Sequence, residues 1–328
     1  MEEKDVVILL ALTEMNVADI IAIMKAGGMT PAFFKKSLSF LEEANTAESF
    51  LSLSGKFIPA NNLSRFRDEA LAVLEGCSRL GIRAVGITDP DYPKSLLAIG
   101  TPPPVLYMKG DKSLLGRVVA IIGTRHSTDL GNRIAGRLGE YFSSKIAVCN
   151  GLVEGIDEHV IRDSGVCHHN VVGVASGGLD YTKTCSSAHA KNIDDVLNAG
   201  GLVVSEFEPT QAADQFSGSK ASRIQAGLAQ GLILVQSSVT GGSKYTLGEF
   251  SRLGKVIGVI HHPAAPEFFT DAFSMNRLII EKKETGIAEI LGKKTLQSID
   301  VREIVPISRK DDYQRFMEST YSEPEALL

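Results

Sequence analysis

The 328-residue sequence has no tryptophan, only four cysteines and 6% aromatic residues. Cys77, Cys149, Cys167 and Cys185 are widely spaced and form no C-x-x-C pair. They fit buried thiols of a reducing cytoplasm, not a disulfide framework, and a chain of this length needs no staples. Long apolar runs are missing too. Val6–Leu12 covers about a third of a membrane span. The start Met1-Glu2-Glu3-Lys4-Asp5 is acidic, unlike the basic n-region of a signal peptide. A cytoplasmic protein with no membrane partner is therefore expected. Positive charge is not in excess: 34 basic and 39 acidic residues leave −5. The deficit is spread over residues 1–110, 111–292 and 293–328, so no segment is basic overall. That excludes a wholly basic nucleic-acid coat and limits any polyanion site to a narrow groove.

Several motifs are also absent. The nearest approach to a Walker loop, Gly248 to Lys255, has one intervening residue too many and ends in valine. No G-x-G-x-x-G follows a strand, no H-E-x-x-H occurs, and no serine sits in a G-x-S-x-G elbow. Cys167-His168-His169 and His261-His262 are adjacent residues that cannot all face one ion. No cofactor and no metal are expected.

Glycine is what the sequence has in plenty, at 31 residues. Residues 1–80 read as a small helical domain. Val6–Leu12 and Ala18–Met24 are apolar, Gly27-Gly28 is a stop signal, and Thr30-Pro31 opens a helix carrying Phe33, Phe34, Leu38 and Leu41. Residues 63–80 continue the pattern with Phe66, Ala70, Val73, Leu74 and Cys77. Residues 81–116 hold a lead-in strand and a proline-rich, extended connector through Pro102-Pro103-Pro104. From Arg117 the texture changes. Apolar runs at 118–122, 146–148, 171–174, 202–204, 232–235 and 256–260 alternate with helical patterns near 130–143, 154–164, 188–198, 222–229 and 246–253. Unbroken apolar strands between helices predict a doubly wound α/β domain with a mostly parallel sheet over residues 81–292. Residues 293–328 read as a tail.

In such folds ligands bind at the carboxyl ends of strands, so the turns there are the candidate sites. Gly123-Thr124-Arg125 follows the first strand. Its glycine admits a close ligand, the next helix offers N–H groups, and Arg125 offers a bidentate donor. Gly151, Gly155 and Asp157 form the second turn, where Asp157 can equally be a helix cap. Ser176-Gly177-Gly178, with Lys183 nearby, is the third. Gly241-Gly242-Ser243-Lys244 is the fourth. Residues 117–145 carry a net charge of +3, with Arg133 and Arg137 one helical turn apart. A groove of glycine N–H groups and cations suits a phosphate backbone.

The series resembles the DNA-processing protein A (DprA, also called Smf) family over about residues 5–290. The shared features are Tyr92-Pro93-Lys94-Ser95-Leu96, Pro103 to Gly110, Val119 to Arg125, Gly155-Ile156-Asp157, Gly178-Leu179-Asp180, Ser205-Glu206, Arg223-Ile224 with Ala226-Gly227-Leu228, and Gly242-Ser243. The resemblance implies an extended Rossmann-like domain behind a small helical, SAM-like one. It implies a non-enzymatic, homodimeric protein that binds single-stranded DNA in a basic pocket and helps load the recombinase RecA during natural transformation. The carried-over contacts are Gly123, Thr124, Arg125, Lys183, Arg223, Gly242, Ser243 and Lys244. Departures accompany it: the family's Ser-Gly-Leu-Ala turn is Asn150-Gly151-Leu152-Val153 here, and its Arg-Asn-Arg triplet is Ala221-Ser222-Arg223. An alternative comes from the wider superfamily. Residues 240–249 are similar to the Gly-Gly-x-Gly-Thr-x-x-Glu motif of nucleotide phosphoribohydrolases, which would make Glu249 catalytic and the ligand a nucleotide. A third reading is an interaction protein without a ligand.

Overall fold

The computed structural model describes residues 15–27 and 29–322. The apolar run at Val6–Leu12 and Gly28 lie outside the described residues. The chain divides into two compact units.

The first unit runs to Lys109 and takes in residues 175–185 and 204–214. It contains α1 (Val17–Gly27), α2 (Pro31–Lys36), α3 (Leu38–Glu43), α4 (Ala47–Leu53) and α5 (Ala60–Arg79). Thr30 caps α2 by accepting the Phe33 N–H, with Pro31 in the first turn where its missing donor costs nothing. Phe34 and Phe50 stack at 5.7 Å in the core. On α5, buried Leu63, Ala70 and Cys77 recur every seven residues, a single stripe along the helix. Arg67 ties α5 to its neighbours through Asp19 and Glu48, each at 2.9 Å.

The hairpin of β1 (Arg83–Gly86) and β2 (Val105–Gly110) is antiparallel. Its first strand packs with the helices, so this unit extends past the boundary expected at residue 80. The reason is close approach at Gly86: a Cβ there would lie 2.7 Å from Ile20 Cδ1 of α1. In the inserted loops, the Gly178 N–H donates to Gln211 O (2.8 Å) and the Asp180 N–H to Pro209 O (2.8 Å).

The second unit is wound on β3 (Val118–Ile122), followed by α6 (Asp129–Ser143), β4 (Ala147–Asn150), α7 (Ile156–Val160), the short pair β5 (Arg162–Asp163) and β6 (Val166–Cys167), and β7 (Val171–Val174). Then come α8 (Tyr181–Thr184, in the first unit), α9 (Ser187–Asn198), β8 (Leu202–Ser205), α10 (Ser217–Leu228), β9 (Gly231–Leu234), α11 (Ser243–Phe250), β10 (Arg252–Ile260), α12 (Ser274–Ile290), β11 (Asp300–Ile307) and α13 (Asp311–Tyr321). Spatial order is β8-β7-β4-β3-β9-β10-β11. The pairs β3–β4, β4–β7, β3–β9, β9–β10 and β10–β11 are all parallel. From β3 the chain winds one way through β4 and β7, then resumes on the other side at β9. The switch point therefore falls between β3 and β9, and its carboxyl edge is where a crevice opens.

Two expectations need correction. The helix over 154–164 is only α7, because Ser164 and Gly165, both at positive φ, turn the chain into the β5–β6 ladder. Residues 293–328 are no tail. There β11 adds a parallel strand beside β10, and α13 lays Phe316 against Phe142, ring centroids 6.0 Å apart, in the main core. Asp300, Arg302 and Glu303 interrupt the apolar pattern of β11, so no buried run marks it as a strand.

Candidate nucleic-acid interface

Three of the four glycine turns lie on the second unit, and a buried carboxylate joins two of them. Asp157 is 5% exposed, and its Oδ2 accepts the Gly151 N–H at 2.9 Å. The backbone N–H groups of Val153 and Gly123 also donate to it. Burial pushes its carboxyl up to about 7, while those N–H groups and the Arg125 guanidinium pull the other way. Asp157 thus lies beneath the turns as their tie, not on the ligand side of them.

The first turn is held from inside. The Thr124 N–H donates to Gln236 O at 2.8 Å, and Thr124 O accepts from Ile156 N at 3.1 Å. Gln236, the second residue past β9, is fully buried. Its Oε1 accepts the Thr128 N–H (3.0 Å), and its Nε2 donates to Thr128 Oγ1 (3.1 Å). Thr128 in turn caps α6. Gly123 is required by packing: a Cβ would lie 2.5 Å from Ile156 Cγ1. Gly155, at φ +82°, lets α7 approach, since a Cβ would lie 2.5 Å from the carbonyl oxygens of both Thr124 and Arg125. With the backbone so fixed, the Arg125 side chain projects exposed.

In the second turn Leu152 is fully buried at φ +57°, an unfavourable region for a branched residue. The strain is held by the Leu152 N–H to Asn150 Oδ1 (3.0 Å) and by Asn192 Nδ2 donating to Leu152 O (2.9 Å). Its side chain fills the hollow over Gly173.

The fourth turn follows β9 and opens α11. Asn276 of α12 braces it: its Oδ1 accepts the Ser237 N–H, and its Nδ2 donates to Val235 O at 3.0 Å. A Cβ on Gly241 would crowd Ser237 Oγ, whereas one on Gly242 would meet nothing within 4 Å. The Gly242 surface is therefore open. Lys244 Nζ lies 5.5 Å from the centroid of the exposed Tyr245 ring. Arg223 of α10 is 9% exposed, its Nη1 donating to Lys220 O at 2.8 Å. Lys183 belongs to the first unit, where it pairs with Asp180 at 2.7 Å. Glu249 pairs with Arg252 at 3.2 Å.

Three buried polar atoms in this neighbourhood have no hydrogen-bond partner: His189 Nε2, Gln225 Oε1 and Ser243 Oγ. Gln225 Nε2 would lie 3.4 Å from a Cβ on Gly151. His189 is 7% exposed, and burial and Arg125 lower its pKa. Sequence reasoning missed His189, Gln225, Gln236 and Asn276. Only Gln236 left a signal, a polar residue just past an unbroken apolar strand. Among the described residues no cluster of histidine, cysteine or carboxylate side chains is arranged to hold a metal ion.

A family model described as DNA recombination-mediator protein A matches residues 83–287. The chain belongs to that family. It is 28% identical over 200 residues to the DNA processing protein DprA of Bacillus subtilis, covering 60% of this chain and 66% of that one. It is 28% identical over 162 residues to the Protein Smf of Escherichia coli, covering 47% and 41%. The chain thus spans between about two fifths and two thirds of these relatives' lengths. The X-ray structure of DprA from Streptococcus pneumoniae superposes with a TM-score of 0.62 at 20% identity, over 91% of this chain and 97% of that one. A Helicobacter pylori DNA processing protein A, described for its single-stranded DNA binding mode, gives 0.52 at 21% identity, over 64% and 96%. The Streptococcus pneumoniae structure, matched over nearly the whole chain, shares the α/β fold and the amino-terminal helical region.

Proposed function

We propose that the chain is a DNA-processing protein that binds single-stranded DNA along the carboxyl edge of its parallel sheet. It acts by binding and carries out no catalysis. The observation that carries this reading is the convergence of the Gly123 and Gly151 turns on Asp157, one strand over from the strand-order switch that the Gly123 turn borders, with Arg125 projecting outward. The open Gly242 surface admits close approach of a phosphate, and Arg125, Arg223 and Lys244 offer charge. The family resemblance and the single-strand binding described for the Helicobacter pylori relative support the choice of ligand. A homodimer that helps load the recombinase RecA is the matching biological role.

The test compares single strands, duplex and mononucleotides over a salt series. Tight single-strand binding with a steep negative salt slope, flattened by Arg125→Ala, is expected. Failure to bind any oligonucleotide at low salt overturns the reading. Release of base from a nucleoside monophosphate, abolished by Glu249→Gln, would replace it with the enzyme.

A further inference from the structure

A cavity of about 550 Å³ is lined by none of the residues of the glycine turns. It is bounded by the middle of α6, the segments leaving β10 and β11, and the first turn of α13. The volume is within the range of pockets that take small organic ligands. Its lining is mixed in a particular way. Ile260 and Ile307 give it an apolar floor, and Tyr141 and Tyr313, 5.0 Å apart at 63°, form an aromatic wall. Arg137, Arg309 and Lys310 supply three exposed cations at the rim, against one lining carboxylate, Glu140. Arg309 Nε lies 3.9 Å from Asp311 Oδ2 and 4.0 Å from Asp312 Oδ1, long pairings at an exposed site, while Asp312 Oδ2 accepts the Ser308 and Arg309 N–H groups at 2.8 and 3.0 Å. An apolar floor and aromatic edges suit a flat heterocycle, and clustered cations suit a phosphate.

The groove connects to a feature of the sequence that the glycine turns leave unused. Arg133 and Arg137 lie one turn apart on the exposed face of α6. That helix begins four residues after Arg125. At 1.5 Å per residue, Arg137 is about 12 Å along α6 from its first residue. The cations Arg125, Arg133 and Arg137 therefore lead from the first turn toward the cavity.

We propose that this cavity is a nucleotide-binding subsite, separate from the glycine turns. It seats a base over Ile260 and Ile307 beside the two tyrosines, with its phosphate among Arg137, Arg309 and Lys310. The nucleotide is either free in solution or one unit of a longer strand. The subsite does not require the glycine turns to bind DNA.

Two measurements on the full chain test this. The first compares binding of thymidine monophosphate, a four-nucleotide dT strand and a twenty-nucleotide dT strand in wild type and in Arg309→Glu/Lys310→Glu. Both substituted residues are exposed, so folding should be unaffected. A loss of about tenfold for the twenty-nucleotide strand, with the short strand unchanged, identifies a unit of the strand. Loss of monophosphate binding identifies a free nucleotide. Unchanged binding of all three overturns the proposal. The second is photocrosslinking of an iodouracil-substituted strand, read by mass spectrometry. Adducts at Tyr141 or Tyr313 are expected, and adducts confined to residues 123–125, 151–157 and 241–245 overturn the strand version. Arg125→Ala, run alongside, separates failure of this groove from failure of the glycine-turn site.

Discussion

Asp157 Oδ2 accepts the Gly151 N–H at 2.9 Å, and that contact locks the second turn to the first. Its carboxyl lies at about 7, above the ordinary 3.8, because burial penalises the ion. A raised native pKa means the folded state holds the proton more tightly than the unfolded one. The resulting stability is complete below about pH 4 and is lost as pH rises to 7, after which it is level. Denaturant titrations at pH 5, 6, 7 and 8 should show the folding equilibrium falling by up to tenfold per unit between pH 5 and 7. Asp157→Asn should lower stability by about 1–3 kcal/mol, from an unsatisfied N–H, and abolish that pH component. An unchanged pH profile in the variant would refute the assignment.

Arg125 is exposed and its backbone is fixed by neighbours, so its side chain is free to serve a ligand. Arg125→Ala should leave stability within about 0.5 kcal/mol of wild type. Single-strand affinity should fall, with the salt slope reduced by about one. Thermal melts and anisotropy titrations at several salt concentrations read the two effects separately.

Gly155 and Gly242 should behave oppositely. At Gly155 a Cβ collides with two carbonyl oxygens and φ is positive, so Gly155→Ala should destabilise by more than about 1 kcal/mol and displace the first turn. At Gly242 a Cβ meets nothing and φ is −63°, so Gly242→Ala should leave the melting temperature unchanged. Its cost should appear in DNA binding, where the methyl group occupies space a phosphate needs. A Gly242→Ala variant that binds normally would remove that turn from the interface.

Phe316 is fully buried and meets Phe142 edge to face. Phe316→Ala should cost about 3–5 kcal/mol, as expected for a large core truncation. Ending the chain at residue 292 should uncover the same surface and yield an aggregating product in sedimentation. A fully stable truncated form would restore the reading of this segment as a tail.

Legibility tracks burial. Val118–Ile122 and Val171–Val174 are buried throughout, and their unbroken apolar runs announce a parallel sheet. β11 pairs with β10 at the end of the strand order, so its charged positions disguise it. The glycine turns were legible by position, though not always by reason. Gly123 answers to Ile156 packing, and Asp157 to backbone N–H groups, before either answers to a ligand. Asn276 and His189 left no trace in the sequence, and Gln236 left only its place past an apolar strand, because their roles follow from which strands become neighbours. β3 beside β9 brings Gln236 under Thr128, a pairing no local pattern encodes.

That last strand of the sheet carries a further consequence. Ile307 O accepts the His261 N–H, so alternate residues of β11 face β10 and those between them face away. Pro306 is one of the outward ones, and it has no N–H to give. A foreign strand seeking to extend the sheet there meets a missing donor. The carboxyl-terminal segment thus brings with it a stop against edge-to-edge aggregation.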